Sequence, residues 1–117
     1  MVVDQLSDDD VDRIFHALAD RTRRDIVQRT LIGEHSVSAL ARRYDMSFAA
    51  VQKHVAVLER ADLVRKTRRG REQLVRTNIG AVRTAQTLLD ELEALWRDRL
   101  DRFESVLTDP DTGGTTR

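Results

Sequence analysis

Apolar residues recur at intervals of three and four along the first 60 positions of the chain, which is the period of helices that bury one face. The first helix is predicted to begin after Ser7, a suitable N-cap residue that acidic side chains follow. Its buried stripe consists of Val11, Ile14, Phe15 and Leu18. The pattern therefore predicts a helix that turns one apolar side toward a core.

Two further helices follow the same rule. Asp20 is the predicted N-cap of a second helix, which ends near Leu31 and just before Gly33. Ser36 is the predicted N-cap of a short third helix. The residues expected to be buried on these helices are Ile26, Val27, Leu31, Val37, Leu40, Ala41 and Tyr44.

The stretch from residue 47 to residue 60 predicts a fourth helix with two chemically different faces. Ser47 can cap its first turn, and a tight turn at Asp45 and Met46 joins it to the third helix. Its buried stripe consists of Val51, Val55 and Leu58. Two short helices joined in this way form a helix-turn-helix, although the turn lacks the usual glycine.

The outward face of the fourth helix suits the major groove of DNA. Near the helix N-terminus it presents Phe48, Ala49, Gln52 and Lys53. Small residues permit close approach, a glutamine can read a base edge, and a lysine can reach a base or a phosphate. An ordinary surface helix with a polar exterior is the alternative interpretation, and the neighbouring segments decide between the two.

After Asp62 the period changes from helical to strand-like. Residues 63–67 and 72–77 predict two strands, and Gly70 marks the turn between them. Five of the seven residues from Arg65 to Arg71 are basic. We take Glu72 as the one nearby acid, so the cations repel one another unless an anion is close. This favours a DNA-contacting wing over a solvated polar hairpin.

The last predicted helix runs from about residue 79 to residue 107. Its apolar positions are spaced alternately by three and four, and only Arg99 interrupts the seam. A helix of this length is about 40 Å long at about 1.5 Å per residue. This helix is longer than a domain of this size needs for its own core. A second copy of the chain is therefore expected to cover part of the apolar face. Packing onto the first helix is the competing explanation.

The composition narrows the class of protein. A chain of 117 residues with 40% hydrophobic and 34% charged residues is consistent with one globular domain. It contains no cysteine, which excludes disulfides and thiolate metal sites. It also lacks an apolar run of about 18 residues and a signal-peptide pattern, so we expect no membrane span and a cytoplasmic location.

The net charge of zero hides an uneven distribution. The acids outnumber the bases by five in residues 1–20 and by three in residues 78–117, whereas the bases outnumber the acids by eight in residues 21–77. The positive charge therefore concentrates on the segment that contains the helix-turn-helix and the wing. Arg21, Arg23 and Arg24 open the second helix, where cations need a partner, and either phosphate or nearby aspartates could serve.

Four separate motifs resemble the ArsR/SmtB family of bacterial winged-helix repressors. They lie at residues 16–27, 37–41, 47–58 and 63–71, and the similarity covers about residues 10–107. The resemblance implies a symmetric homodimer joined through the first and last helices, operator binding in successive major grooves, and repression. It also places His54 at a position where family members commonly have histidine in the recognition helix.

The departures from the family pattern concern metal binding. Metal sensors of the family use cysteines on the third helix, or histidines and acids on the last helix. Here residues 36–40 contain no cysteine and the last helix contains no histidine. The chain therefore resembles the metal-independent members, and we expect no metal and no cofactor. The family's usual glycine before Leu63 is Asp62, which is expected to strain the entry into the wing.

The expected architecture is mainly α with a small β-hairpin, a winged helix-turn-helix of five helices and a two-stranded wing. We expect an N-terminal arm at residues 1–6, one DNA-binding and dimerisation domain at residues 7–108, and a disordered tail at residues 109–117. The candidate DNA contacts are Arg42, Arg43, Ser47, Phe48, Ala49, Gln52, Lys53, His54, Lys66, Arg68, Arg69 and Arg71. The candidate dimer contacts are Val11, Phe15, Leu89, Leu92, Trp96 and Phe103.

The expected function is sequence-specific binding of double-stranded DNA by a dimeric repressor. Its expected target is a palindromic operator, for which that of its own gene is a candidate. The alternative is a winged helix that binds a protein and not DNA, although such modules tend to lose a basic wing. An enzyme is disfavoured because the sequence has no cysteine nucleophile and no glycine-rich phosphate loop. The inducer is unknown from the sequence.

Overall fold

The computed structural model describes residues 7–108, and the chain divides after Ala85 into two compact units. The expected arm at residues 1–6 and tail at residues 109–117 lie outside the described residues. The elements in chain order are α1 (Asp8–Leu18), α2 (Arg21–Ile32), β1 (His35–Ser36), α3 (Val37–Ala41), α4 (Phe48–Arg60), β2 (Val64–Arg69), β3 (Glu72–Thr77) and α5 (Ile79–Thr108). The five predicted helices are confirmed.

Side-chain caps fix where the first four helices begin. Ser7 Oγ accepts from the backbone N–H of Asp10 at 3.1 Å, and the Asp10 carboxylate accepts from the Ser7 backbone, which completes a capping box. Asp20, Ser36 and Ser47 each accept from the backbone N–H three residues later. Each cap satisfies an N–H group that the helix itself leaves without a partner.

The sheet has three antiparallel strands in the order β1-β3-β2, so the predicted two-stranded wing was incomplete. β1 contains only two residues, and His35 pairs with Val75 of β3. A strand of two residues has no period to detect, which is why the sequence pattern did not reveal it. The pairing ties the start of α3 to the wing.

The core of the first unit lies between the helix-turn-helix and the sheet. Its largest fully buried side chains are Ile26, Leu40, Val51, Val55, Leu58, Leu63, Val64, Val75 and Thr30. The predicted stripe on α4 is therefore confirmed. The prediction for Leu31 was wrong, because that side chain is 53% exposed and the neighbouring Thr30 is buried instead.

Thr30 can lie in the core because its hydroxyl finds partners there. Its Oγ1 lies 2.8 Å from Oγ1 of Thr77, which donates to the carbonyl oxygen of Val27 at 3.0 Å. A buried hydroxyl with hydrogen-bond partners avoids most of the cost of burial. These contacts hold the end of β3 against α2 and leave Leu31 on the outer side of the helix.

Candidate nucleic-acid interface

The first two turns of α4 present the candidate base-reading residues. Ser47, Phe48, Ala49, Gln52 and Lys53 are all exposed, and Phe48 keeps 47% of its surface accessible. The opposite side of the same helix is held in the core. The helix is therefore fixed to the body while its N-terminal face stays open.

The wing tip lies beside this open face. A cavity of about 220 Å³ is lined by residues of three elements, namely Val37, Ser38, Phe48, Gln52, Arg71, Glu72 and Gln73. The start of α3, the start of α4 and the wing tip thus meet at one concave surface. Because these segments are far apart in sequence, only the fold brings Gln52 and Arg71 to the same place.

The turn of the wing depends on Gly70, which has a φ of +64°. The turn joins Arg69 to its partner Glu72, and a left-handed residue there costs little when it is glycine. The basic residues from Arg65 to Arg71 are all exposed. The wing therefore carries its positive charge toward solvent.

The premise that Glu72 is the only acid near the wing was wrong. Lys66 Nζ lies 3.3 Å from Glu59 of α4, Arg69 lies 3.8 Å from Glu34, and Arg65 lies 3.7 Å from Asp62. Glu34 and Glu59 lie outside the hairpin and reach it only through the fold, whereas Asp62 is three residues before Arg65. Within residues 7–108, Arg68 and Arg71 make no ion pair with the protein. Their positive charges are therefore not offset by a nearby acid and are available to a binding partner.

The turn between α3 and α4 contains no glycine. A hydrogen bond from Tyr44 of the turn to α2 holds it in place instead. Tyr44 Oη donates to Asp25 Oδ2 at 2.5 Å, and Arg29 Nε donates to the same oxygen at 2.8 Å. These two hydrogen bonds, Tyr44 first, lower the pKa of Asp25 below its ordinary value. Burial, together with the bond to Asp25, raises the pKa of Tyr44 to about 12.

His54 lies on the inner side of α4 and contacts α2. Its Nδ1 is 3.2 Å from Nη1 of Arg23. A guanidinium group only donates, so the imidazole accepts at Nδ1 and carries its hydrogen on Nε2. The structure thus gives this histidine, which was predicted to contact DNA, a contact inside the protein.

The arginines at the start of α2 have partners that the sequence analysis did not consider. Arg23 donates to the carbonyl oxygens of Ala17 at 2.8 Å and His16 at 3.2 Å, and Arg24 donates to that of Leu18 at 2.9 Å. These carbonyls lie in the last turn of α1, where the helix leaves acceptors open, and that of His16 also accepts from the Ala19 N–H at 3.2 Å. Cations are favourable at a helix C-terminus, so both arginines stabilise the α1–α2 junction.

Asp62 is the only non-glycine residue at positive φ among residues 7–108, with a φ of 61°. The N–H of Leu63 donates to the carbonyl of Leu58 at 3.0 Å and the N–H of Asp62 to that of Glu59 at 2.9 Å, which is a Schellman motif. Glycine is usual at this position because a side chain is strained there. Asn78 offsets part of the strain by donating to Asp62 Oδ2 at 3.1 Å.

The candidate dimer contacts differ in exposure. Val11 and Phe15 on α1 are half-buried, and Phe15 packs against the core. On α5 the exposed fractions are 52% for Leu89, 53% for Leu92, 55% for Trp96 and 62% for Phe103. The apolar seam of α5 is therefore open to solvent in the single chain.

The described residues contain neither a metal-binding cluster nor a membrane helix. Within residues 7–108, no three histidine or acidic side chains gather as they would around a metal ion. His16, His35 and His54 stand on α1, β1 and α4. Over the same range, no helix has the length and the apolar character that a bilayer span requires.

The fold and this surface define a winged helix-turn-helix protein, and comparisons with known proteins agree. Residues 18–67 match a helix-turn-helix domain family. The HTH-type transcriptional regulator Rv2034 of Mycobacterium tuberculosis is 36% identical over 99 residues, which cover 82% of this chain and 87% of that protein.

Two solved structures have the same fold. An ArsR-like transcriptional regulator from Rhodococcus sp. RHA1 superimposes with a TM-score of 0.74 at 29% identity, covering 83% of this chain and 92% of that one. The homodimeric winged helix-turn-helix DNA-binding domain of Mb0332 from Mycobacterium bovis gives a TM-score of 0.61 at 25% identity, covering 75% and 88%. The chain belongs to the ArsR family of DNA-binding transcriptional regulators.

Proposed function

We propose that this regulator is a homodimeric repressor that binds a palindromic operator, including one upstream of its own gene. The observation that supports this most is the concave surface where Gln52 of α4 meets Arg71 of the wing tip. A helix N-terminus and a basic hairpin on one surface suit a major groove and the backbone beside it. The function rests on binding alone, without a catalytic step.

The proposed DNA contacts fall into two classes. Gln52 and Lys53 read base edges, while Ser47, Phe48 and Ala49 allow close approach. Phosphate contacts, which position the protein without reading sequence, come from Arg42, Arg43, Lys66, Arg68, Arg69 and Arg71. His54 is proposed to orient α4 through Arg23, since its ring faces the protein.

A homodimer is proposed because α5 leaves a long apolar seam without cover. Leu92 and Trp96 are both more than half exposed, and burial against a second copy would remove this surface from water. The related domain from Mycobacterium bovis is homodimeric. A two-fold dimer presents two copies of α4, which is why a palindromic operator is expected. Chromosomal DNA as partner places the protein in the cytoplasm.

The test is binding of the purified protein to the DNA just upstream of its gene, compared with a scrambled duplex across a salt series. We expect preferential binding as a dimer, with an affinity that falls steeply as salt rises. Equal and weak binding to both duplexes would contradict self-regulation. No binding at low salt would exclude DNA as the partner and favour a protein ligand.

Two substitutions separate base reading from phosphate contact. Gln52→Ala is expected to cost about 1–3 kcal/mol and to relax preference at one base position. Arg71→Ala is expected to weaken all duplexes alike and to reduce the salt slope by about one, and Arg69→Ala to do the same to a smaller extent because Glu34 already pairs with it. Arg97→Ala removes an equally exposed cation from α5, to which no DNA contact is assigned, and serves as the control.

A further inference from the structure

A second cavity lies against α3, outside the concave surface of the wing. It has a volume of about 460 Å³ and is lined by Arg29, His35, Ala39, Arg42 and Arg43. Arg29 lies on α2, His35 on β1 and Ala39 on α3, while Arg42 and Arg43 directly follow α3. Four of the five side chains contain nitrogen groups that can hold positive charge. Nothing in the fold alone requires so many cations at one place.

The charges around this cavity do not cancel. Asp25 is the acid in contact with a lining residue, and it already accepts from Arg29 at 2.8 Å and from Tyr44 at 2.5 Å. Arg42 and Arg43 are exposed and make no ion pair within residues 7–108. With His35 neutral, the three arginines and Asp25 leave an excess of two positive charges. Glu34, next to His35 in sequence, pairs with Arg69 of the wing.

The network behind the cavity orients one of its arginines. Asp25 binds Arg29 on the same helix, and Tyr44 binds Asp25 from the helix-turn-helix turn. Arg29 is therefore held before any ligand arrives, which reduces the entropy lost on binding. The planar fork of a guanidinium matches the oxygens of a phosphate group.

His35 can add a further hydrogen bond. Its Nδ1 lies 3.0 Å from the carbonyl oxygen of Gly33. A carbonyl only accepts, so Nδ1 carries a hydrogen in this geometry and Nε2 is left for another partner. Nε2 of an imidazolium ring can donate to an anion in the cavity.

The position of the cavity identifies the source of the anion. Ser38 lines the wing-side cavity, and its neighbour Ala39 lines this one. The two cavities therefore lie next to each other around α3. A DNA strand that leaves the groove occupied by α4 and crosses α3 would reach the second cavity next.

We propose that the cavity formed by Arg29, His35, Arg42 and Arg43 binds a phosphate group of the DNA backbone at the outer edge of each operator half-site. This rests on the proposed function and adds Arg29 and His35 to its contacts. Free phosphate has the same chemistry, so the experiment must separate the two sources.

The experiment uses the duplex that the protein prefers, with each phosphate replaced singly by a neutral methylphosphonate. We expect one position per half-site, outside the bases covered by α4, where replacement weakens binding by the native protein about tenfold. The same replacement should cost Arg43→Gln less than about twofold, because the partner charge is already absent. Arg97→Gln, which changes an exposed cation on α5, should respond as the native protein does.

His35→Asn is the second variant, because its amide can still donate to the Gly33 carbonyl while the ring Nε2 is lost. We expect it to lower the effect of the critical methylphosphonate to about threefold. His16→Asn, an exposed histidine on α1, is the matched control and should leave the effect unchanged. Equal effects in native protein, Arg43→Gln and His35→Asn at every position would overturn the assignment.

Inorganic phosphate, titrated at constant ionic strength while the His35 ring signals are followed by NMR, separates the two sources. Saturation only in the millimolar range is expected for a site that uses a DNA phosphate. Saturation at micromolar phosphate would overturn the DNA assignment in favour of the free anion. If no duplex binds, the proposed function fails together with this inference. If a duplex binds without the Arg43 coupling, the inference alone fails.

Discussion

The two compact units of this chain use the same kind of helix in opposite ways. On α4 in the first unit, Val51, Val55 and Leu58 are at most 1% exposed. On α5 in the second unit, Leu92 and Trp96 have equivalent helical spacing and are 53% and 55% exposed. The spacing predicts which side of a helix is apolar. It does not predict whether the same chain or another one covers that side.

The polar groups show the same difference. In the first unit, Tyr44 donates to Asp25 from a turn 19 residues away, and Arg29 donates to the same carboxylate from the next turn of α2. In the second, the ion pairs Arg97–Glu93 and Arg102–Asp98 each join residues one turn apart. Such local pairs contribute about 0.3–0.5 kcal/mol each, so they stabilise a helix but do not define a tertiary fold. The first unit therefore contains polar contacts that hold distant segments together. The polar contacts described in the second unit are local, and its apolar stripe stays exposed.

The largest expected effect comes from shortening a side chain of the buried stripe. Leu58→Ala removes a fully buried side chain and is expected to lower the free energy of unfolding by about 2–5 kcal/mol. Urea denaturation at several protein concentrations measures this loss, which should not depend on concentration because the cavity lies within one chain.

Leu92→Ala is the matched control for that experiment, because it removes the same atoms from the exposed stripe. Its cost should vary with protein concentration, since binding to a second copy contributes to stability by mass action. Equal losses for the two variants at every concentration would remove the distinction between the two helices.

The second-largest expected effect is on dimerisation and not on the folding of the single chain. Leu92→Asp places a charge on the seam, and an unpaired charge in an interface should weaken self-association about a hundredfold or more. Analytical ultracentrifugation measures this, and circular dichroism should remain that of a folded protein. Ala94→Asp, which adds the same charge to the other side of α5, should still sediment as a dimer. A dimeric Leu92→Asp would refute the assigned seam.

A smaller effect follows from the network behind the helix-turn-helix. The pKa of Asp25 is lowered in the folded state, so the stability it contributes is present above the ordinary carboxylate range and is lost as pH falls through the folded pKa. The pKa of Tyr44 is raised to about 12, so its contribution is present below pH 10 and is lost as pH rises toward 12. Tyr44→Phe should lower stability by about 1–2 kcal/mol at pH 7 and reduce both pH dependences.

Tyr44 can be followed directly because it is the only tyrosine in the chain. The ultraviolet signal of tyrosinate should have its midpoint near pH 12 in the folded protein and near pH 10 in urea. A midpoint near pH 10 in both conditions would show that the hydroxyl is not held by Asp25. The long-range hydrogen bond that best distinguishes the first unit from the second would then be refuted.

Local patterns predicted the helices because caps and apolar stripes act within a few residues. Ser36 and Ser47 cap the helices that they were expected to cap. Long-range contacts were not predictable in this way. Arg23 donates to backbone carbonyls of α1 and contacts the His54 ring, and no sequence motif marks such partners. The cavity at Arg29 likewise gathers residues from three elements, and only their packing reveals it.

The smallest expected effect tests the joint between α4 and the sheet, where Asp62 has a left-handed backbone conformation. Asp62→Gly relieves a left-handed residue but loses the side-chain contact with Asn78 at 3.1 Å, so the two changes should cancel to within about 0.5 kcal/mol. Asp62→Ala keeps the strain, loses the contact, and should cost about 1 kcal/mol. Urea denaturation of both variants distinguishes the contributions. If Asp62→Gly costs as much as Asp62→Ala, then the hydrogen bond from Asn78, and not the freedom of the backbone, determines how α4 enters the wing.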